Sequence, residues 1–588
     1  MSDLNLLRYY SRLVSLGVGK EIKIALPDVA EALFTSPRHA RNLLGQMQQY
    51  DWLTWQPKVG RNQRSTLILN TPIDQLRAQL ASKRILEGKY EKALSILDND
   101  QAIFGRLLQS TSGASMREGR LHIQLTYKRA FERLVPHQLH RSSERYFIRQ
   151  IYCCLVSSNP NGYLEPQLAH HWHYNEQTFE WTFYLRPGLS FHNGELITAQ
   201  CIAELFNALR KQPIYKPELS HLKDVTTDLG TKVIFHLSQP DFGFGGLISG
   251  VKYAIQPTSQ LRSTTSERII GSGVFEVTEQ SETRLCLQAF DRYYACRSLT
   301  DQVTIWHFDH SEPQNQQIET NLPNARGNDG CQYYLSQSGG DNNDSNIKRS
   351  DIKHTRIEDG CVFMLFNQHS PNALTNQQRR YLSTVLTPDI IYQQLEQNGT
   401  TFGCEKARNL LSIWQEVTRP PAEATTLPEQ ISIAVYDYNA LDHCANAAKQ
   451  ILENQGVNVT IHHYSYRELI KLSETNQLTD HLIITNINLD DNRHASAFGC
   501  LYHNPILQNA IGEEANHWLV TSLQEMRSHT PLEDYLQALE PIASALINQY
   551  WLAPLFHHRQ TLRFHDVLND VALTNWGWPD LRSVWSTD

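Results

Sequence analysis

The chain has 588 residues, of which 40% are hydrophobic, 10% aromatic and 19% charged. At roughly 100 to 200 residues per domain this length excludes one ordinary core and predicts three or four lobes, and the apolar fraction excludes wholesale disorder. A formal charge of -8, from 53 Lys and Arg against 61 Asp and Glu, argues against a surface that coats nucleic acid throughout, yet residues 1–70 carry +4 and the remainder -12. That split is the one expected of a small nucleic-acid module fused to a larger acidic body.

The first residues, Met1-Ser2-Asp3-Leu4-Asn5, place an acid where a secretory signal needs cations, and no apolar stretch ending in small residues follows. No apolar run of about 20 residues is present either, so no membrane partner is expected and the location predicted is cytoplasmic. Ten cysteines are scattered without a CxxC pair and read as reduced, buried small hydrophobes.

Leu4–Leu16 and Pro27–Phe34 have apolar residues at helical spacing. A third helix, 37–50, starts with Ser36 as N-cap and Pro37 where its missing N–H costs nothing. At about 100° per residue, Ala40, Leu43, Leu44 and Met47 share one face and Arg38, Arg41, Asn42 and Gly45 the opposite one. Trp52–Lys58 and Ser65–Leu69 flank a turn-rich Val59–Arg64, which predicts a hairpin with a cationic tip of Lys58, Arg61 and Arg64. Three helices and a two-stranded wing describe a winged helix-turn-helix on double-stranded DNA; the alternative is a small helical domain with a basic hairpin. In the first reading Arg38, Arg41 and Asn42 meet base edges, the wing cations meet the backbone, and His39, between the two faces, touches phosphate or packs.

The stretch Leu33-Phe34-Thr35-Ser36-Pro37-Arg38-His39-Ala40-Arg41-Asn42-Leu43-Leu44, with Trp52-Leu53-Thr54-Trp55 and Gly60-Arg61-Asn62-Gln63-Arg64-Ser65, resembles the N-terminal domain of SgrR-family transcriptional regulators. It departs from the family pattern at Thr35, where cysteine is expected, on the turn and away from the DNA-facing positions. Residues 71–119 read as helices divided by Gly88 and a Ser/Thr/Gly-rich linker from Ser110 to Gly119.

From residue 120 the pattern is α/β. Gly162–Trp172 and Phe179–Ala199 resemble the signature of solute-binding proteins of the oligopeptide, dipeptide and nickel type. Gly271-Ser272-Gly273-Val274-Phe275, Phe363-Met364-Leu365-Phe366-Asn367 and Pro554-Leu555-Phe556-His557 follow in the expected order. The resemblance implies two α/β lobes with a ligand between them over residues 120–588. The expected fold is thus multidomain, an N-terminal winged helix-turn-helix plus a two-lobed α/β periplasmic-binding-protein-like domain.

Peptide-binding relatives hold the ligand's amino group with an aspartate in Trp-x-x-Asp-Tyr-x-x-Pro. The corresponding stretch is Asn488–Arg493, with Asp491 as the equivalent, and it lacks the tryptophan, tyrosine and proline, which argues against peptide specificity; two exposed loop carboxylates are the alternative. Tyr163 and Trp172, inside the family motif, are candidates for the cleft or the core. His170-His171-x-His173 and His462-His463 lack the spacing of a metal site, Gly243-Phe244-Gly245-Gly246 lacks a phosphate loop's Lys-Ser/Thr and reads as a turn, and no catalytic signature or cofactor motif is present. The expected function is a cytoplasmic DNA-binding regulator that senses a small molecule: a sugar, a sugar phosphate or a peptide-like solute. A transport-associated solute-binding protein is the alternative, and a hydrolase has no positive support.

Overall fold

The computed structural model describes residues 3–58, 63–127, 129–262, 268–307, 332–338, 351–565 and 568–586. The first element is α1 (Asp3–Leu13), followed by the strand β1 (Ile22–Ile24), α2 (Leu26–Ala32), α3 (Pro37–Gln49) and the strands β2 (Leu53–Gln56) and β3 (Ser65–Leu69). The Ser36 side chain accepts from His39 N at 3.3 Å and starts α3. Ala40, Leu43, Leu44 and Met47 are fully buried on its inner face, each large side chain contributing about 1.5 to 3 kcal/mol of burial. The wing differs from the expectation in one respect. β1 pairs with β3 on the side opposite β2, Ile22 against Leu67, so the sheet has three strands in the order β1-β3-β2. A three-residue strand behind two glycines is too short to show a period of two.

Three helices come next: α4 (Ile73–Leu86), α5 (Tyr90–Ile96) and α6 (Gln101–Ser110). Gly88 closes α4 at φ +73, and Arg117 Nε donates to the freed Leu86 carbonyl at 2.7 Å. A Cβ at Gly88 would lie 2.6 Å from Arg117 Nη1, so this glycine also admits the arginine that caps the helix. The stretch Ser110–Gly119, expected as a linker, contains the strand β4 (Gly113–Arg117), hairpinned to β5 (Arg120–Tyr127). Glu118 and Gly119 both adopt positive φ, the pattern of a tight two-residue hairpin turn. Composition alone suggested a loop; pairing to β5 satisfies this backbone instead.

β4 and β5 enter a 13-stranded sheet that runs through both lobes. In the first lobe, β5 runs parallel to Thr300–His307, which continues into Arg284–Ala289 and Phe275–Gln280. A four-stranded sheet of Ala169–Asn175, Glu180–Leu185, Lys232–Leu237 and Leu222–Asp228 flanks it. The second lobe has Gly360–Phe366, Leu482–Asn488, Gln430–Tyr436 and Asn458–Tyr464, the last three in parallel pairs crossed by helices. The strand Leu552–His565 joins the lobes. Its Leu555 and Phe556 lie in the second lobe's core and its Leu562 and Phe564 in the first lobe's.

The motif Gly271-Ser272-Gly273 fastens this lobe. Cβ atoms at Gly271 and Gly273 would lie 2.1 and 2.6 Å from the backbone of Ile151 and Tyr152, at the end of the helix α7 (Ser142–Ile151). Ser272 Oγ donates to Ile255 O at 2.7 Å and accepts from Cys153 N at 3.0 Å. His192 takes Gly271 N–H on Nδ1 at 3.2 Å and donates Nε2–H to Gly273 O at 2.9 Å; burial holds it neutral, its pKa lowered to about 4. No helix among the described residues is long and apolar enough to cross a membrane.

Candidate functional site

On the head, Arg38, Arg41 and Asn42 are exposed on the outer face of α3, opposite its buried residues. His39 is half-buried, edge-on to Tyr9 with ring centroids 6.0 Å apart. The turn before α3 is held from behind. Arg12 Nη1 donates to Leu33 O at 2.7 Å while its guanidinium lies over Phe34, which adopts φ +52. Lys58 and Arg64 are exposed at the two sides of the β2–β3 hairpin, where Lys58 N donates to Ser65 Oγ at 3.2 Å. Arg61 lies outside the described residues.

The head does not hang on a flexible tether. One hydrophobic cluster runs from α1 through α6 and ends on Trp306 of the first lobe. Trp306 meets Tyr90 and Phe104 edge-on, at 4.8 and 5.8 Å between ring centroids, with Arg284 over its face at 5.2 Å. Beside it, Tyr90 Oη donates to Gln124 Oε1 at 3.0 Å and Gln124 Nε2 donates to Thr111 Oγ1 at 3.3 Å. The head, the connector and the first lobe therefore share a packed, hydrogen-bonded contact.

Between the lobes lies a cavity of about 1490 Å³, lined by Tyr127, Arg145, Lys252 and Tyr253 from the first lobe and Tyr436, Tyr438, Tyr466 and Asp490 from the second. The lobes are closed on it. Arg145 of α7 reaches Asp490 at 3.0 Å and Asn488 O at 3.1 Å, and Trp576 Nε1 donates to the same Asp490 carboxylate at 2.9 Å. Burial pushes the Asp490 carboxyl up and Arg145 opposes it. Farther out, Phe242 N donates to Arg527 O at 3.3 Å, and the Gly243–Gly246 stretch, expected as a turn, begins a short helix, Phe244–Ile248, packed against the second lobe.

One oxygen of Asp491 is engaged by the first lobe. Its Oδ1 is 2.8 Å from Arg149 Nη2, and that buried guanidinium also donates to Ser249 O at 2.8 Å. Asp491 is thus part of a contact between lobes, and its neighbour Asp490 lines the cavity. Tyr163 is 56% exposed on a loop and Trp172 packs against the core of the four-stranded sheet; neither lines the cavity. His170, His171 and His173 are exposed on one strand, while His462 and His463 pair with Asp480 and Asp442.

Residues 5–119 match the family described as sugar transport-related sRNA regulator N-term, and residues 163–381 the family described as bacterial extracellular solute-binding proteins, family 5 middle. Along its whole length the chain is 28% identical to the HTH-type transcriptional regulator SgrR of Yersinia pseudotuberculosis serotype I (strain IP32953), covering 99% of that protein. The chain matches SgrR regulators from end to end. The SgrR protein of Photorhabdus laumondii subsp. laumondii is also 28% identical, with 100% and 99% of the two chains covered. The fold of the two-lobed part is shared by NikA from Brucella suis, at TM-score 0.62 and 14% identity over 79% of this chain and 100% of that one. It is shared as well by the oligopeptide-binding protein AppA from Bacillus subtilis, at TM-score 0.63 and 13% identity over 79% and 99%.

The cleft includes a group the sequence did not flag. Glu358, 4% exposed at the hinge, has its pKa raised to about 8 by burial. A carboxyl with a folded-state pKa above its unfolded value contributes stability that is present below about 4.3 and lost as pH rises through about 8. Glu358→Gln removes that loss, so the melting temperature of the variant minus that of the wild type should increase between about pH 5 and pH 8 and level off above. A difference that stays constant over this range would contradict the assignment.

Proposed function

We propose that the chain is a cytoplasmic DNA-binding transcriptional regulator whose two-lobed domain senses a small molecule, and whose lobe closure changes how the winged helix meets its operator. The observation that carries this reading is the common packing of α1–α6 with Trp306. Through it the head moves with the first lobe, and a ligand acts by placing the second lobe against that unit. A ligand shifts such an equilibrium only by its differential affinity for the open and closed states. The sugar transport-related description of the matched N-terminal family supports a sugar or sugar phosphate as the ligand. Occupation of Asp491 by Arg149 speaks against capture of a peptide amine there.

On DNA, Arg38, Arg41 and Asn42 are assigned to base edges, with His39 at the phosphates beside them and Lys58, Arg61 and Arg64 on the backbone. The test is gel retardation of the upstream region of the chain's own gene at low salt. Arg41→Ala should cost about 1 to 3 kcal/mol and relax specificity at one base pair. Arg64→Ala should weaken all duplexes alike and reduce the salt slope by about one. Loss of sequence preference in Arg64→Ala with none in Arg41→Ala would reverse the assignment.

A further inference from the structure

The turn that leads into α3 carries a residue that the turn itself does not call for. Phe34 N donates to Glu31 O and Thr35 N to Ala30 O, both at 2.9 Å, the paired bonds of a Schellman motif that closes α2. Phe34 occupies the left-handed position of that motif, at φ +52, where glycine is the usual residue and a bulky side chain is strained. Its ring is not buried in exchange. Phe34 is 81% exposed, the highest value among the large apolar side chains of the described residues. A strained backbone and an aromatic ring in water both oppose folding, and strain of this kind points to use at a surface.

The ring is also held in place. Arg12 of α1, whose Nη1 donates to Leu33 O, lies over the rings of Tyr9 and Phe34 at 5.1 and 5.2 Å from their centroids. Tyr9 in turn meets His39 edge-on at 6.0 Å. Phe34, Arg12, Tyr9 and His39 thus form a continuous row along the start of α3, next to the exposed Arg38. Arg12 covers one face of the Phe34 ring and leaves the rest open. A ring fixed in this way loses little freedom on binding, so a contact made by it costs little entropy.

The occupant follows from the neighbourhood. A recognition helix of this type brings its N-terminal residues to the base edges, and the ring stands two residues before the N-cap Ser36. On those edges the apolar group that the major groove displays is the C5-methyl of thymine. We infer that Phe34 reads thymine, its ring packing on the C5-methyl of a base at the edge of the site contacted by Arg38. The inference rests on the reading of α3 as the recognition helix and adds an apolar base contact to the polar ones assigned above.

The test is fluorescence anisotropy of the full chain on a short duplex from its own upstream region, with thymines replaced one at a time by deoxyuridine, which removes only the methyl group. One replacement should weaken the wild type about fourfold. The same replacement should leave Phe34→Ala, already weaker on the parent duplex, unchanged. Phe34→Gly should lose the same discrimination yet melt no lower than the wild type, because glycine adopts φ +52 without strain. Loss of discrimination is then separated from loss of fold. Sequence-specific binding that no single replacement weakens would overturn the inference and leave the recognition helix standing. So would a Phe34→Ala protein that is weaker on every duplex but as sensitive to each methyl as the wild type, which places the ring on deoxyribose instead. A wild type that binds no duplex removes the recognition-helix reading and the inference together.

Discussion

Gly243→Ala should hold the two lobes apart. A Cβ at this position would lie 1.9 Å from the Tyr535 hydroxyl and 2.3 Å from its ring. Tyr535 is itself buried in the second lobe's core, packed near Phe498, and has little room to yield. Gly243 has φ -91, ordinary for any residue, so the substitution strains no backbone and acts only as a wedge between lobes. Gly246 repeats the arrangement, with Leu532 side-chain carbons 2.6 Å from its would-be Cβ. Overpacking a tight contact costs about 1 to 3 kcal/mol, and all of that cost falls on the closed state. Ligand affinity should therefore drop by roughly 5- to 150-fold, and at a ligand concentration just sufficient to compact the wild type the variant should keep the radius of gyration of the open form. A Gly243→Ala protein that compacts in small-angle scattering at the same ligand concentration as the wild type would contradict the closure geometry.

Trp306→Ala should uncouple the head from the cleft. The indole is 7% exposed and joins the connector's cluster to the first lobe's sheet. Removing such a side chain costs about 3 to 5 kcal/mol. That cost falls on the docking of α4–α6, while the core of α1–α3 and the outer face of α3 are untouched. The expected result is a protein that retards DNA as the wild type does but no longer responds to ligand, with new protease cleavage in the connector. Equal loss of DNA binding and ligand response would mean that Trp306 supports the fold as a whole rather than the joint.

The recognition helix was readable because its evidence is local: Ser36 and Pro37 mark its start, and the buried Ala40, Leu43, Leu44 and Met47 follow the helical period. β1 was not, since Ile22–Ile24 is recognisable as a strand only once Leu67 is beside it. The two-lobed fold was legible through the resemblance of motifs such as Gly271–Gly273 to those of solute-binding proteins; the glycines there allow a close approach of backbone to backbone. The cleft resisted for a different reason. Glu358, Asn488 and Gln560 come from a turn and two strands more than seventy residues apart in sequence, and none belongs to a motif. The sequence pointed to Asp491, but its partner Arg149 is 342 residues away, and only the fold brings the two together.

Fluorescence anisotropy of the full chain on duplex DNA from its own upstream region, with and without a compound that stabilises the cleft, tests the coupling most directly. The account predicts saturable, sequence-dependent binding whose midpoint shifts with the compound in the wild type and stays fixed in Gly243→Ala. Binding to no duplex, or a midpoint that the compound moves equally in both proteins, would contradict it.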